Sequence, residues 1–66
     1  MNVVVNGETR ELAAGATVSG LLADLGLNEK KVAVELNQSV VETSEWASAQ
    51  LRDGDQIEIV HFVGGG

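Results

Sequence analysis

Only one segment of this 66-residue chain carries helical periodicity, and it is too short to stand alone. Val18, Leu21, Leu22 and Leu25 fall at i, i+3, i+4 and i+7, which gathers them into one apolar stripe. Thr17 is placed to cap its start. Gly26 stands where a C′ glycine belongs, with Leu27 beyond it as the hydrophobic partner of that cap. The spacing predicts a helix of about nine residues, well short of what holds together by itself in water. Gly20 inside it removes about 1 kcal/mol more relative to Ala. The stripe needs a sheet to lie on, and the rest of the chain has to supply it.

Strand patterns surround the helix. Val3, Val4 and Val5, within Met1 to Asn6, are β-branched and suit a strand. Asn6-Gly7 follows, and a type I′ turn needs positive φ at both of its central positions, which this pair supplies. Glu8 to Leu12 reads as the return strand of a hairpin. Lys31 to Asn37 alternates, with Val32, Val34 and Leu36 on one face and Ala33 and Glu35 on the other. Asn37-Gln38-Ser39 is a turn and Val40-Val41 a short strand. Thr43 to Trp46 reads as a helical turn capped by Thr43 or Ser44, with Trp46 as a lid over the core. Asp53-Gly54-Asp55 is a tight turn. Gln56 to Val63 is the last strand, with Ile57 and Ile59 on one face and Glu58, Val60 and Phe62 on the other.

The expected fold class is therefore α+β, a mixed sheet of four to five strands packed on one main helix. Residues 1–63 form one domain and residues 64–66 a flexible glycine tail. Ten Val, seven Leu and seven Ala supply enough apolar volume for a core. A chain of this length leaves no room for two lobes with a catalytic cleft between them.

Composition excludes several kinds of chemistry. There is no cysteine and only one histidine, so a disulfide, a thiolate nucleophile and a His- or Cys-based metal site are all excluded. His61 alone, without an evident partner, reads as a strand-edge residue rather than a base. Asp53, Asp55 and Glu58 lack the spacing of a calcium loop and read as a solvated turn. No catalytic residue and no bound cofactor is expected. Ten acids against four bases give a net charge of −6, a poor match for phosphate backbones, so no nucleic-acid partner is expected. No run of about 18 apolar residues and no leader pattern is present, so no membrane role is expected and the location reads as cytoplasmic. An acidic domain of this kind suits a basic patch on another protein.

Eight glycines and no proline is the remaining oddity, and three of the glycines, Gly64, Gly65 and Gly66, directly follow the last strand. By composition alone, terminal glycines are as readily a plain chain end. Their placement, with no intervening linker, favours an arm that projects about 10 Å beyond Val63. Without a Cβ, such residues can thread a channel too narrow for any other. At the tip stands the Gly66 α-carboxylate, which a partner can activate by attack on the α-phosphorus of ATP. Displacement of AMP by sulfur then leaves a thiocarboxylate. The candidate docking patch beside the tail is Val60, Phe62 and Val63, rimmed by Glu58.

The stretch Gly54 to Gly66, GDQIEIVHFVGGG, closely resembles the end of the small sulfur carrier proteins of thiamine biosynthesis, the ThiS family. Val32 to Asn37, Ser44 to Ala47 and the opening Met1 to Gly7 resemble its other parts, so the resemblance covers the whole chain. Val41-Glu42-Thr43 departs from a Val-Pro-Arg stretch that is frequent in the family. The resemblance implies a ubiquitin-like β-grasp fold. It implies adenylation of Gly66 by a ubiquitin-activating-type adenylyltransferase, with the ATP used by that partner. It further implies conversion to a thiocarboxylate, with sulfur from a cysteine desulfurase persulfide, and delivery to thiazole synthase. The chain would then be a protein cosubstrate rather than an enzyme. The small subunit of molybdopterin synthase, another ubiquitin-like sulfur carrier or protein modifier, and a plain β-grasp binding domain are the alternatives.

Overall fold

A hairpin opens the chain. In the computed structural model, which describes residues 1–62, β1 (Asn2–Val5) pairs antiparallel with β2 (Glu8–Glu11). The two residues between them have positive φ, 49° at Asn6 and 83° at Gly7, as a two-residue type I′ connection requires.

The helix α1 (Val18–Asp24) then crosses the sheet. The Thr17 hydroxyl accepts a hydrogen bond from the Gly20 N–H at 3.1 Å, capping the first turn. At the other end the Gly26 N–H bonds to the Ala23 carbonyl and the Leu27 N–H to the Leu22 carbonyl, both at 3.0 Å. That pair is a Schellman cap, and it needs a left-handed residue at its centre, which Gly26 supplies at φ 70°. Counted with its capping residues Thr17 and Leu25, the helix matches the length that the stripe predicts.

A 3₁₀ turn (Glu29–Lys31) leads into β3 (Val32–Leu36), which pairs antiparallel with the short β4 (Ser39–Val40). Asn37 and Gln38 connect them, again with positive φ at both positions, 51° and 72°. Val41 lies just past β4, although its N–H still reaches the Val34 carbonyl at 2.9 Å. A second 3₁₀ turn spans Thr43–Glu45. Its cap position is Glu42, and no side chain caps it, which corrects the expected role of Thr43 or Ser44. Both hydroxyl residues lie inside the turn, which the backbone itself holds: the Glu45 N–H bonds to the Glu42 carbonyl at 2.8 Å. Trp46 closes the core as expected; it is buried, and its Nε1–H donates to the Val41 carbonyl at 2.9 Å.

The last strand, β5 (Gln56–His61), runs up the middle of the sheet, whose order is β2-β1-β5-β3-β4. It is parallel to β1 and antiparallel to β3. Five strands over one helix give the β-grasp architecture. The inward face of the sheet buries Val3, Val5, Val32, Val34, Ile57 and Ile59 against Val18, Leu21 and Leu22 of α1, and Leu51 fills one end. Val63, where the last strand was expected to finish, lies outside the described residues, as do Gly64, Gly65 and Gly66.

Candidate functional site

The strand that leads to the tail is the middle one of the five, with β1 on one side and β3 on the other. On the β3 side the register runs from Leu36 opposite Ile57 to Val32 opposite His61. The Phe62 N–H continues it, donating to the Lys31 carbonyl at 2.8 Å. On the β1 side the Asn6 N–H reaches the Ile57 carbonyl at 2.9 Å. There β1 turns away, and the Asn6 side chain takes over. Its Oδ1 accepts from the Ile59 N–H at 2.7 Å and its Nδ2 donates to the Ile59 carbonyl at 3.2 Å. On the β3 flank Asn37 acts alike at the start of the strand, where its Oδ1 accepts from the Gln56 N–H at 2.9 Å. Asn6 thus has a part in the site beyond its turn conformation. The Asn-Gly signal points to the turn and is silent about the side chain.

Alternation along β5 divides its side chains as the sequence predicts. Ile57 and Ile59 are buried, whereas Glu58, Val60 and Phe62 stand on the open face of the sheet. Val60 is 51% exposed and Phe62 60% exposed. Val40, at 70% exposure, shares that face through the pairing of Val40 with Glu35 and of Ala33 with Val60. It widens the apolar surface, and the sequence reading of Val40-Val41 as a short strand does not assign it to that face. Glu35 and Glu58 lie directly opposite each other between these apolar groups. Of the docking residues expected from sequence, Val60, Phe62 and Glu58 are therefore together on one exposed face. Val63 and the three tail glycines lie outside the described residues.

The other acidic candidates are used by the backbone. Asp53 accepts from the Asn2 N–H at 2.8 Å. Asp55 accepts from the Arg52 N–H at 2.8 Å and from the Asn37 Nδ2 at 3.0 Å. Asp53 thereby ties the turn before β5 to the start of β1, and Asp55 ties it to the β3–β4 connection. Among the described residues no three of His, Cys, Asp or Glu come together as metal ligands, and no helix is long and apolar enough to cross a membrane. His61 lies exposed in β5.

The ThiS family model matches residues 3–66. The chain belongs to the ThiS family. The sulfur carrier protein ThiS of Escherichia coli is 35% identical over 66 residues, covering the full length of both chains. A crystal structure of the thiamine biosynthesis protein ThiS from Geobacter metallireducens superposes with a TM-score of 0.85 at 36% identity, again over the whole of both chains. The fold is thus the ubiquitin-like β-grasp of ThiS. A third relative differs in size. The thiazole synthase of Paramagnetospirillum magneticum is 48% identical over 66 residues, all of this chain but only 20% of that protein. The thiazole synthase of Magnetococcus marinus is 47% identical with the same coverage, so the chain spans a fifth of the length of both proteins. The ThiS match includes β5 and runs on through the glycines that follow it.

Proposed function

We propose that this ThiS-family chain is a sulfur carrier of thiamine thiazole formation, with the Gly66 carboxylate as its reactive group. The observation that carries the reading is the ThiS match through residue 66, on a chain whose three last glycines come one residue after the exposed Phe62. The two thiazole synthases that contain a ThiS-like segment support that enzyme as the sulfur acceptor.

A carboxylate resists substitution until one of its oxygens becomes a leaving group. In the proposed cycle a Gly66 carboxylate oxygen attacks the α-phosphorus of ATP on an activating adenylyltransferase. Pyrophosphate leaves, and an acyl-adenylate forms. The terminal sulfur of a cysteine persulfide, charged by a cysteine desulfurase, then forms a C–S bond at the acyl carbon as the C–O bond to AMP breaks. A thiol of the sulfur-donating partner attacks the inner sulfur of the resulting acyl disulfide, so that the S–S bond breaks, the thiocarboxylate leaves and a disulfide forms on the donor. The thiocarboxylate that remains is a soft nucleophile on a protein arm, which thiazole synthase draws on. No carrier side chain takes part in proton transfer. The carrier contributes an arm without side chains and a face to dock with: Val60, Phe62 and Val63, rimmed by Glu58, with Gly64, Gly65 and Gly66 threading into the partner.

The test is intact-mass measurement after incubation with the activating enzyme, ATP and a sulfur source. The expected product is heavier by one oxygen-to-sulfur replacement, and deletion of Gly65 and Gly66 abolishes it. Thiolation of the shortened chain would show that the sulfur sits elsewhere. A thiocarboxylate that thiazole synthase cannot use would refute the acceptor.

A further inference from the structure

The open face of the sheet carries a charge arrangement that folding disfavours. Glu35 on β3 and Glu58 on β5 stand directly opposite each other. Like charges so placed destabilise a sheet. Their other neighbours in the register bring no relief: Val40 lies opposite Glu35 on β4, and Ala33, Gln56 and Val60 flank the pair along the strands. The chain has four Lys and Arg residues, and all stand elsewhere. Arg10 is on the edge strand β2, two strands from β5. Lys30 and Lys31 precede β3, and Arg52 precedes the Asp53-Gly54-Asp55 turn.

Beside the pair the face is concave. A cleft of about 230 Å³ opens there, lined by Glu35 and Glu58 with Gln38, Gln56 and Val4. The exposed Val40, Val60 and Phe62 lie on the same face. The surface is thus an acidic hollow bordered by apolar side chains.

Charge decides what can cover such a face. A second copy of the chain, docking by the same patch, would set its own two carboxylates against these. At a net charge of −6 the two copies would also repel each other at longer range. A partner with a cationic side chain set among apolar ones fits both parts. Its apolar groups cover Val40, Val60 and Phe62, and its cation enters the cleft. There the carboxylates and the carboxamide oxygens can accept the cation's N–H groups.

We propose that the cleft beside Glu35 and Glu58 receives one cationic side chain, Arg or Lys, of the activating adenylyltransferase, and that the repulsion between the two glutamates is relieved only in that complex. This inference rests on the sulfur-carrier reading, which makes that enzyme the docking partner. The apolar residues supply adhesion, and the glutamate pair selects the partner by charge.

The test variant is Glu35→Gln with Glu58→Gln, which keeps the shape of both side chains and removes their charge. Glu8→Gln with Asp24→Asn is the control. It removes the same amount of charge from β2 and from the end of α1, away from the cleft. Affinity of each folded chain for the adenylyltransferase is measured by calorimetry across a salt series, and thermal unfolding is followed in parallel. The cleft variant should bind about tenfold more weakly at low salt, with the gap narrowing as salt rises. It should also unfold at a higher temperature than wild type, because the repulsion is gone. A merely structural role would move stability and affinity together. The control should bind within about twofold of wild type, since it leaves the cleft unchanged. Glu58→Lys places a cation of the chain's own opposite Glu35, and should weaken binding at least as far as the double glutamine variant.

Unchanged affinity of the cleft variant, or equal losses in the cleft variant and the control, overturns the proposal. Sedimentation of wild type alone should show a monomer; a dimer that Phe62→Ser dissolves would make a second copy the occupant and overturn it too. Failure of the wild-type chain to bind the adenylyltransferase or to support pyrophosphate release would refute the carrier reading, and this inference with it.

Discussion

The two faces of β5 carry similar residues and meet opposite fates. Ile57 and Ile59 are 1% and 5% exposed, pressed beneath α1 with the valines of β1 and β3. Val60 and Phe62, on the same strand, face outward. One helix covers one face of a five-stranded sheet, and the described residues hold no second helix of comparable length for the other. Burial of apolar surface drives folding on the inner face only. The apolar groups of the outer face contribute little to stability, and the exposed cluster of Val40, Val60 and Phe62 is the surface that the proposed docking would use.

The comparison breaks first on the inner face. Ile57→Ala should cost about 2–5 kcal/mol, by loss of buried methyl groups and the cavity left behind. Against a total stability of about 5–15 kcal/mol, such a loss leaves the domain marginal. Urea unfolding followed by Trp46 fluorescence measures it directly. A change below about 1 kcal/mol would mean that the core collapses around the gap and is less specifically packed than its burial indicates.

The outer face should answer in the opposite sense. Phe62→Ser should change stability by no more than about 0.5 kcal/mol, as an exposed position does. Binding to the activating enzyme should weaken by about tenfold, or about 1.4 kcal/mol, as for an aromatic anchor at an interface. Titration of the folded variant against that enzyme checks both halves. Wild-type affinity would remove Phe62 from the docking face, and a collapse of stability would place it in the core.

Much of this division is legible in the sequence, because period-2 alternation assigns each strand residue to a face. It placed Ile57 and Ile59 inside and Val60 and Phe62 outside, and the 3.6-residue stripe with its Thr17 and Gly26 caps gave the helix. Alternation does not say which strand lies beside which. The central place of β5 follows from hydrogen bonds between residues some fifty positions apart, such as Val4 to Asp55, to which local patterns are blind. The turn at Asn37-Gln38 was legible as a turn, but its left-handed Gln38 was not, since Gln has no special liking for positive φ. The bonds from Asn37 to Gln56 and Asp55 hold that turn in place. The same limit hid the second task of Asn6. Its side chain serves Ile59, a residue that only the parallel pairing of β1 and β5 brings near.

The smallest expected effect is the one that sharpens the comparison most. Glu35 and Glu58 are direct cross-strand neighbours on the outer face. Like charges in that relation destabilise a sheet, by an amount of about 0.2–1 kcal/mol for such pairs. Glu58→Gln should therefore raise stability by a few tenths of a kcal/mol, roughly the low end of that range, and the gain should shrink as salt screens the repulsion. A basic group on a docking partner would find both carboxylates, so the same substitution should slow association with the activating enzyme, most clearly at low salt. Stopped-flow binding and thermal unfolding across a salt series report the two effects separately. Higher stability with slower association would mean that the outer face keeps a charge pair which folding alone would not select. Higher stability with unchanged association would leave the apolar residues as the whole of the contact, and lower stability would show that Glu58 has a favourable role within the sheet.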